Sequence, residues 1–153
     1  MEIIITDRKT VSNMEFIVPT AVISITDMDY FFADLKNSPK FLLQMQFDDI
    51  DGYVFEDEGY KNPTYEQRLW VEKKYNIISD EQAQKIASFY FKAKPLVTRV
   101  ICQCEHGQSR SAAVAAAILE YEQKEGINIF ANEKYSPNKI IFHKVLTALK
   151  EGK

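Results

Sequence analysis

Val100-Ile-Cys-Gln-Cys104-Glu-His-Gly107-Gln-Ser-Arg110-Ser111-Ala-Ala113 is the stretch whose reading decides the fold. A β-branched run, Leu96 to Ile101, leads into it, and an alanine-rich helical run, Ser111 to Glu122, leads out. Strand, tight loop and helix in that order point successive backbone N–H groups at a bound anion. Cys104 opens the loop and Arg110 closes it. A thiolate is the reactive form of cysteine, and a helix N-terminus beside a cation favours it. Arginine grips a tetrahedral oxyanion with two parallel hydrogen bonds, which lysine cannot copy. The combination suits transfer of a phosphoryl group onto sulfur. Gly107 allows the positive φ that a loop wrapped around an anion needs.

Cys104-x5-Arg110-Ser111, with Gly107 and Ser109 between, resembles the signature loop of the cysteine-dependent protein tyrosine phosphatases. The Gly-x-Ser-Arg-Ser ending is most similar to their dual-specificity branch, and the chain lacks the Gly-Lys-Ser/Thr of a nucleotide P-loop. The resemblance covers about Ala21 to Leu149, and its specific part is the dozen residues around the loop. It implies Cys104 as nucleophile and Arg110 as phosphate clamp. It also implies that the Ser111 hydroxyl hydrogen-bonds the sulfur and helps it leave. Glu105, His106, Gly107, Gln108, Ser109 and Arg110 would together wrap the phosphate. A general acid is implied on a loop after an earlier strand. Here Phe41 to Phe47 is followed by Asp48-Asp49-Ile-Asp51. Asp49 is the expected acid, with Asp48 and Asp51 as alternatives and Asp57 a distant fourth. Ser136-Pro137-Asn138 is similar to the Pro-Asn that opens a late helix in the family, whose asparagine braces the signature loop. Two departures stand out. Gln103 replaces the histidine usual before the nucleophile, though its amide can still donate a hydrogen bond. Glu105 stands where relatives acting on polyphosphorylated lipids carry basic residues, and it would repel additional phosphates.

Around this motif the chain reads as α/β: one domain, residues 1–153, with a mainly parallel sheet flanked by helices. The loop then lies between a central strand and a buried, alanine-rich helix. Strands are expected at Glu2 to Thr6, Phe16 to Val18, Ala21 to Thr26, Phe41 to Phe47 and Leu96 to Cys104. Ser79 with Gln82 forms a capping box for a helix ending near Pro95. Ser136 followed by Pro137 reads as the cap and first position of a last helix with a stripe from Ile140 to Leu149. Gly52 to Tyr75 carries Tyr53, Tyr60, Tyr65, Tyr75 and the only tryptophan, Trp70, and reads as a surface excursion or a lid. A short helix is expected near Tyr65 to Lys74.

Composition narrows the partners. At 153 residues, 46% hydrophobic and 27% charged, the chain suits a soluble globular domain. A net charge of -3 argues against nucleic acid or an anionic membrane as the main partner. No stretch approaches the ~20 apolar residues of a membrane span, and the N-terminus lacks a secretion signal. Cys102 and Cys104, the only cysteines, are read as pointing to opposite faces of their strand, so no structural disulfide is expected and a reducing cytoplasm is the default. Two histidines without metal-ligand spacing leave no metal site and no cofactor. His143, on the last helix, reads as structural. The activity that the resemblance implies is hydrolysis of phosphate monoesters on tyrosine, serine or threonine of a phosphorylated protein, through a Cys104-phosphate intermediate. The alternative is a phosphate-binding module with negligible turnover.

Overall fold

A computed structural model describes residues 1–152. Four strands form one sheet: β1 (Glu2–Thr6), β2 (Thr20–Thr26), β3 (Phe41–Gln46) and β4 (Arg99–Gln103), in the order β1-β4-β2-β3 with every pair parallel. Seven α-helices accompany them: α1 (Arg8–Ser12), α2 (Tyr53–Asp57), α3 (Tyr65–Lys74), α4 (Asp80–Ala93), α5 (Arg110–Gln123), α6 (Ile127–Phe130) and α7 (Lys139–Glu151). The expected α/β class with a mainly parallel sheet is borne out. β2 and β4 are the central strands. Every residue of β2 is buried, as its nearly continuous apolar run from Val22 to Ile25 suits when both faces are covered.

One face of the sheet carries the larger core. Ile23, Ile25, Val100 and Cys102 meet Ile86 and Tyr90 of α4, Val114 and Ile118 of α5, and Val145 and Leu149 of α7. α5 is buried from Arg110 through Ile118. Its alanines permit close approach of helix to sheet, so that this helix starts directly beneath the loop. The opposite face is covered more thinly, by Val11 of α1 with Met14, Phe16, Ala33 and Leu35 from irregular segments.

Three expectations are corrected. Phe16 to Val18 is coil, not strand. Phe16 packs into the smaller core, and Pro19 ends the segment before a ladder can form. The last strand begins at Arg99, since Pro95 lies in a 3-10 turn over Lys94–Leu96. Cys102 and Cys104 lie on the same side of the sheet, both within the larger core, because a spacing of two returns a side chain to the same face. Burial pushes the Cys102 thiol up to about 12, which keeps it protonated and unreactive.

Candidate active site

The C-terminal ends of β1, β2, β3 and β4 converge in a parallel sheet, and the chain leaving each of them contributes to one site. From β4 comes the loop Cys104 to Ser109. Cys104 is 3% exposed, and its Sγ lies 3.0 Å from Ser111 Oγ at the start of α5. No hydrogen bond within the described residues uses the backbone N–H of Glu105, His106, Gly107, Gln108 or Ser109. Together with the uncapped N-terminus of α5 they form a concave set of donors. Gly107 has φ +66°, and a Cβ there would stand 2.8 Å from the Thr6 carbonyl carbon. The loop therefore seats against the end of β1 only with glycine at that position.

Gln103 is fully buried. Its Nε2 donates to the Cys104 carbonyl at 3.0 Å, and its Oε1 accepts from Ser24 Oγ of the neighbouring strand. Gln103, which stands where the resembled signature carries histidine, thus holds the backbone of Cys104. Glu105 accepts from Arg8 Nε at 2.6 Å, so its charge is paired inside the chain. Arg8 also donates to the Phe31 carbonyl at 2.7 Å and lies 4.9 Å from the centre of the Tyr30 ring, tying the loop to the segment that follows β2. His106 and Gln108 are exposed.

Arg110 is buried, with NH1 2.7 Å from Asp27 Oδ1 and 2.9 Å from the Phe47 carbonyl. Both partners take the same terminal nitrogen. The edge formed by Nε and the other terminal nitrogen has no partner among the described residues. That edge is the one that makes two parallel hydrogen bonds to an oxyanion. Asp27, at the end of β2, escaped the sequence reading. Its only sequence signal is an acid directly after a fully buried strand, and the strand order needed to give that meaning lies outside local sequence.

The three adjacent acids separate by their partners. Asp49 Oδ1 accepts from Ser109 Oγ at 2.9 Å and from Asn138 Nδ2 at 2.8 Å. Asp48 instead accepts from the Met28 N–H and Asn76 Nδ2, and Asp51 from the N–H of Tyr53 at the start of α2. Asp57 ends α2. Asn138, not Ser136, caps α7, accepting from the Ile141 N–H at 3.1 Å. Ser136 is drawn off by the loop: its N–H donates to the Gln108 carbonyl, and that of Asn138 to the Ser109 carbonyl. Cys104, Ser109, Arg110, Ser111, Asp49 and Asn138 are thereby linked in one cluster. His143 lies apart, in a cleft with Arg68, Asp80 and Lys144.

No protein-family model matches this chain, and no curated protein matches it in sequence. The crystal structure of PTPMT1 superposes with a TM-score of 0.52 at 16% identity, covering 98% of this chain and 90% of that one. The fold is that of PTPMT1. A structure of PTPMT1 in complex with PI(5)P gives a TM-score of 0.46 at 18% identity, covering 88% of this chain and 78% of that one. Likeness at this identity concerns the backbone arrangement; the chemistry rests on the side chains described above.

Beside the PTPMT1-like core, a groove of about 780 Å³ opens next to Ser109 and Asp49. Of the aromatics between Gly52 and Tyr75, Tyr53 lines it. Tyr60 and Tyr75 pack against the core, while Tyr65 lies under Arg68 and Trp70 under Lys74. The segment is therefore mostly a surface excursion. No helix among the described residues is long and apolar enough to cross a membrane.

Proposed function

We propose that this protein is a cysteine-dependent phosphatase of the dual-specificity type, one domain over residues 1–153, acting on phosphorylated tyrosine, serine or threonine of proteins. One observation carries the reading. The Cys104 sulfur sits 3.0 Å from the Ser111 hydroxyl at the base of a loop whose N–H groups have no acceptor, with Asp49 joined to that loop through Ser109. The PTPMT1-like fold, that of a dual-specificity-type phosphatase, supports it at the level of architecture.

In the proposed mechanism the loop N–H groups and the free edge of Arg110 hold the three non-bridging phosphate oxygens. Cys104 Sγ attacks phosphorus in line. The S–P bond forms as the P–O bond to the leaving group breaks, and Asp49 protonates the departing oxygen. Asp49, now a carboxylate, then takes a proton from water as that water attacks phosphorus. The S–P bond breaks and inorganic phosphate leaves. Ser111 donates a hydrogen bond to the sulfur as it departs, and Asn138 keeps Asp49 turned toward the loop. A reducing compartment such as the cytoplasm suits free Cys102 and Cys104.

The test is hydrolysis of an aryl phosphate in the presence of a chelator, comparing the natural chain with Cys104→Ser. Chelator-resistant turnover that vanishes in the variant, with phosphate binding retained, supports the mechanism. Substantial residual activity in Cys104→Ser sinks it. Vanadate binding without turnover in the natural chain turns the protein into a binding module.

A further inference from the structure

We propose that the groove beside the loop binds the leaving-group side of the substrate, and that it selects a phosphopeptide carrying a cationic side chain next to the phosphorylated residue. The inference rests on the phosphatase reading above and names its substrate class. Asp49 and Ser109, which hydrogen-bond to each other, both line this groove of about 780 Å³, so a leaving group protonated by Asp49 would lie against it. That volume lies within the roughly 300–1,000 Å³ of pockets that enclose small ligands or several side chains.

Its walls state the chemistry of the occupant. Tyr53 of α2 offers a ring that is 71% exposed, whereas Tyr135 of the α6–α7 connection already has Lys134 Nζ 5.7 Å from its ring centre. Asp51 and Glu56 supply carboxylates against the single cation Lys139. Asp51 uses one oxygen on the Tyr53 N–H, and Glu56 is exposed with no ion pair among the described residues. An arginine or lysine side chain finds both a carboxylate and an aromatic face here. A leaving group bearing a second phosphate meets an excess of like charge instead, since Asp49, Asp51 and Glu56 outnumber Lys139 along the groove. The groove thus discriminates by sign, favouring a basic peptide over a polyphosphorylated headgroup or nucleotide.

The experiment uses full-length Cys104→Ser as a trap and measures binding by calorimetry. The probes are two phosphotyrosine peptides differing only in Arg or Glu flanking the phosphotyrosine, an inositol bisphosphate, and inorganic phosphate. The expected result is about tenfold tighter binding of the Arg peptide, with the inositol bisphosphate weaker than either peptide. Adding Glu56→Lys should bring the Arg-to-Glu ratio close to one and strengthen the inositol bisphosphate. A ratio near one in the trap alone, or one that Glu56→Lys leaves unmoved, overturns the inference. Inositol bisphosphate outbinding both peptides overturns it in favour of a lipid headgroup. Failure of inorganic phosphate to bind the trap overturns the phosphatase reading itself, and the inference with it.

Discussion

Arg110 is the residue on which the site turns, and its orientation depends on a partner far away in the chain. Asp27 Oδ1 and the Phe47 carbonyl both hold NH1, leaving the opposite edge of the guanidinium free. Removing Asp27 leaves a buried cation with one anchor and lets it swing away from the phosphate. Asp27→Ala should raise KM for an aryl phosphate about tenfold, with a smaller change in kcat, by steady-state kinetics. An unchanged KM would reduce Asp27 to a surface pair. Asp49 makes a different prediction. Loss of a general acid costs about 10²–10⁴-fold when the leaving group needs a proton, and far less when it does not. Asp49→Ala should therefore cripple hydrolysis of alkyl phosphates while sparing aryl phosphates with acidic phenols, measured as kcat across a leaving-group series. Equal loss across the series would give Asp49 a structural role. In the sequence, Asp48, Asp49 and Asp51 are near-equivalent acids after a strand. Their separate hydrogen bonds, to Met28 and Asn76, to Ser109 and Asn138, and to Tyr53, depend on segments that fold back from elsewhere.

Among the elements, α3, α4 and α7 are locked by a charge network away from the loop. Lys144 Nζ of α7 lies 2.8 Å from both Glu72 Oε2 of α3 and Asp80 Oδ1 of α4. Glu72 is 5% exposed, and its Oε1 has no partner among the described residues, so Lys144 is its main compensation. Lys144→Met leaves that carboxylate only Arg68, whose Nε lies 3.8 Å away, and should cost about 3 kcal/mol in urea unfolding. The hydrogen bond from Lys144 also holds the Asp80 carboxyl below its usual value. A depressed folded-state pKa contributes stability that is complete above the unfolded value, near pH ~4, and is lost as pH falls through the folded one. The natural chain should accordingly lose stability on acidification below about pH 4 more steeply than Lys144→Met, followed by urea midpoints across that range. Elements whose signal is local were legible: the Ser79 and Gln82 capping box opens α4 as read, and the apolar runs of β2 and β4 are central strands. Elements whose ends answer to distant contacts were not. Asn138 caps α7 because the loop takes the backbone of Ser136, and no property of the Ser-Pro-Asn triplet reveals that.

For the whole molecule, the site is a property of sheet order. Each strand end delivers one part: Thr6 seats Gly107, Asp27 holds Arg110, Phe47 and Asp49 meet Arg110 and Ser109, and Cys104 opens the loop. A phosphate ion that engages this assembly must stabilise the entire fold. At about 100 times its dissociation constant, phosphate should add about 2.7 kcal/mol, or roughly 5–10 °C in Tm for a chain of this size. Arg110→Lys should abolish most of that shift, because an ammonium cannot reproduce the two-point grip. A full shift in the lysine variant would place the anion elsewhere. The sequence by itself determined the α/β class, the strand–loop–helix unit around Cys104 and the chemical kind of its residues. Those follow from periodicity, caps and spacing within a dozen positions. Only the tertiary structure decided that Gln103 links the Cys104 carbonyl to Ser24 of the neighbouring strand, that Arg8 neutralises Glu105, that Asp27 holds Arg110, and that Asp49, of the adjacent carboxylates, is the one hydrogen-bonded to Ser109 of the loop. Each joins residues separated along the chain, and parallel pairing with crossover connections, not local pattern, brings them within hydrogen-bond reach.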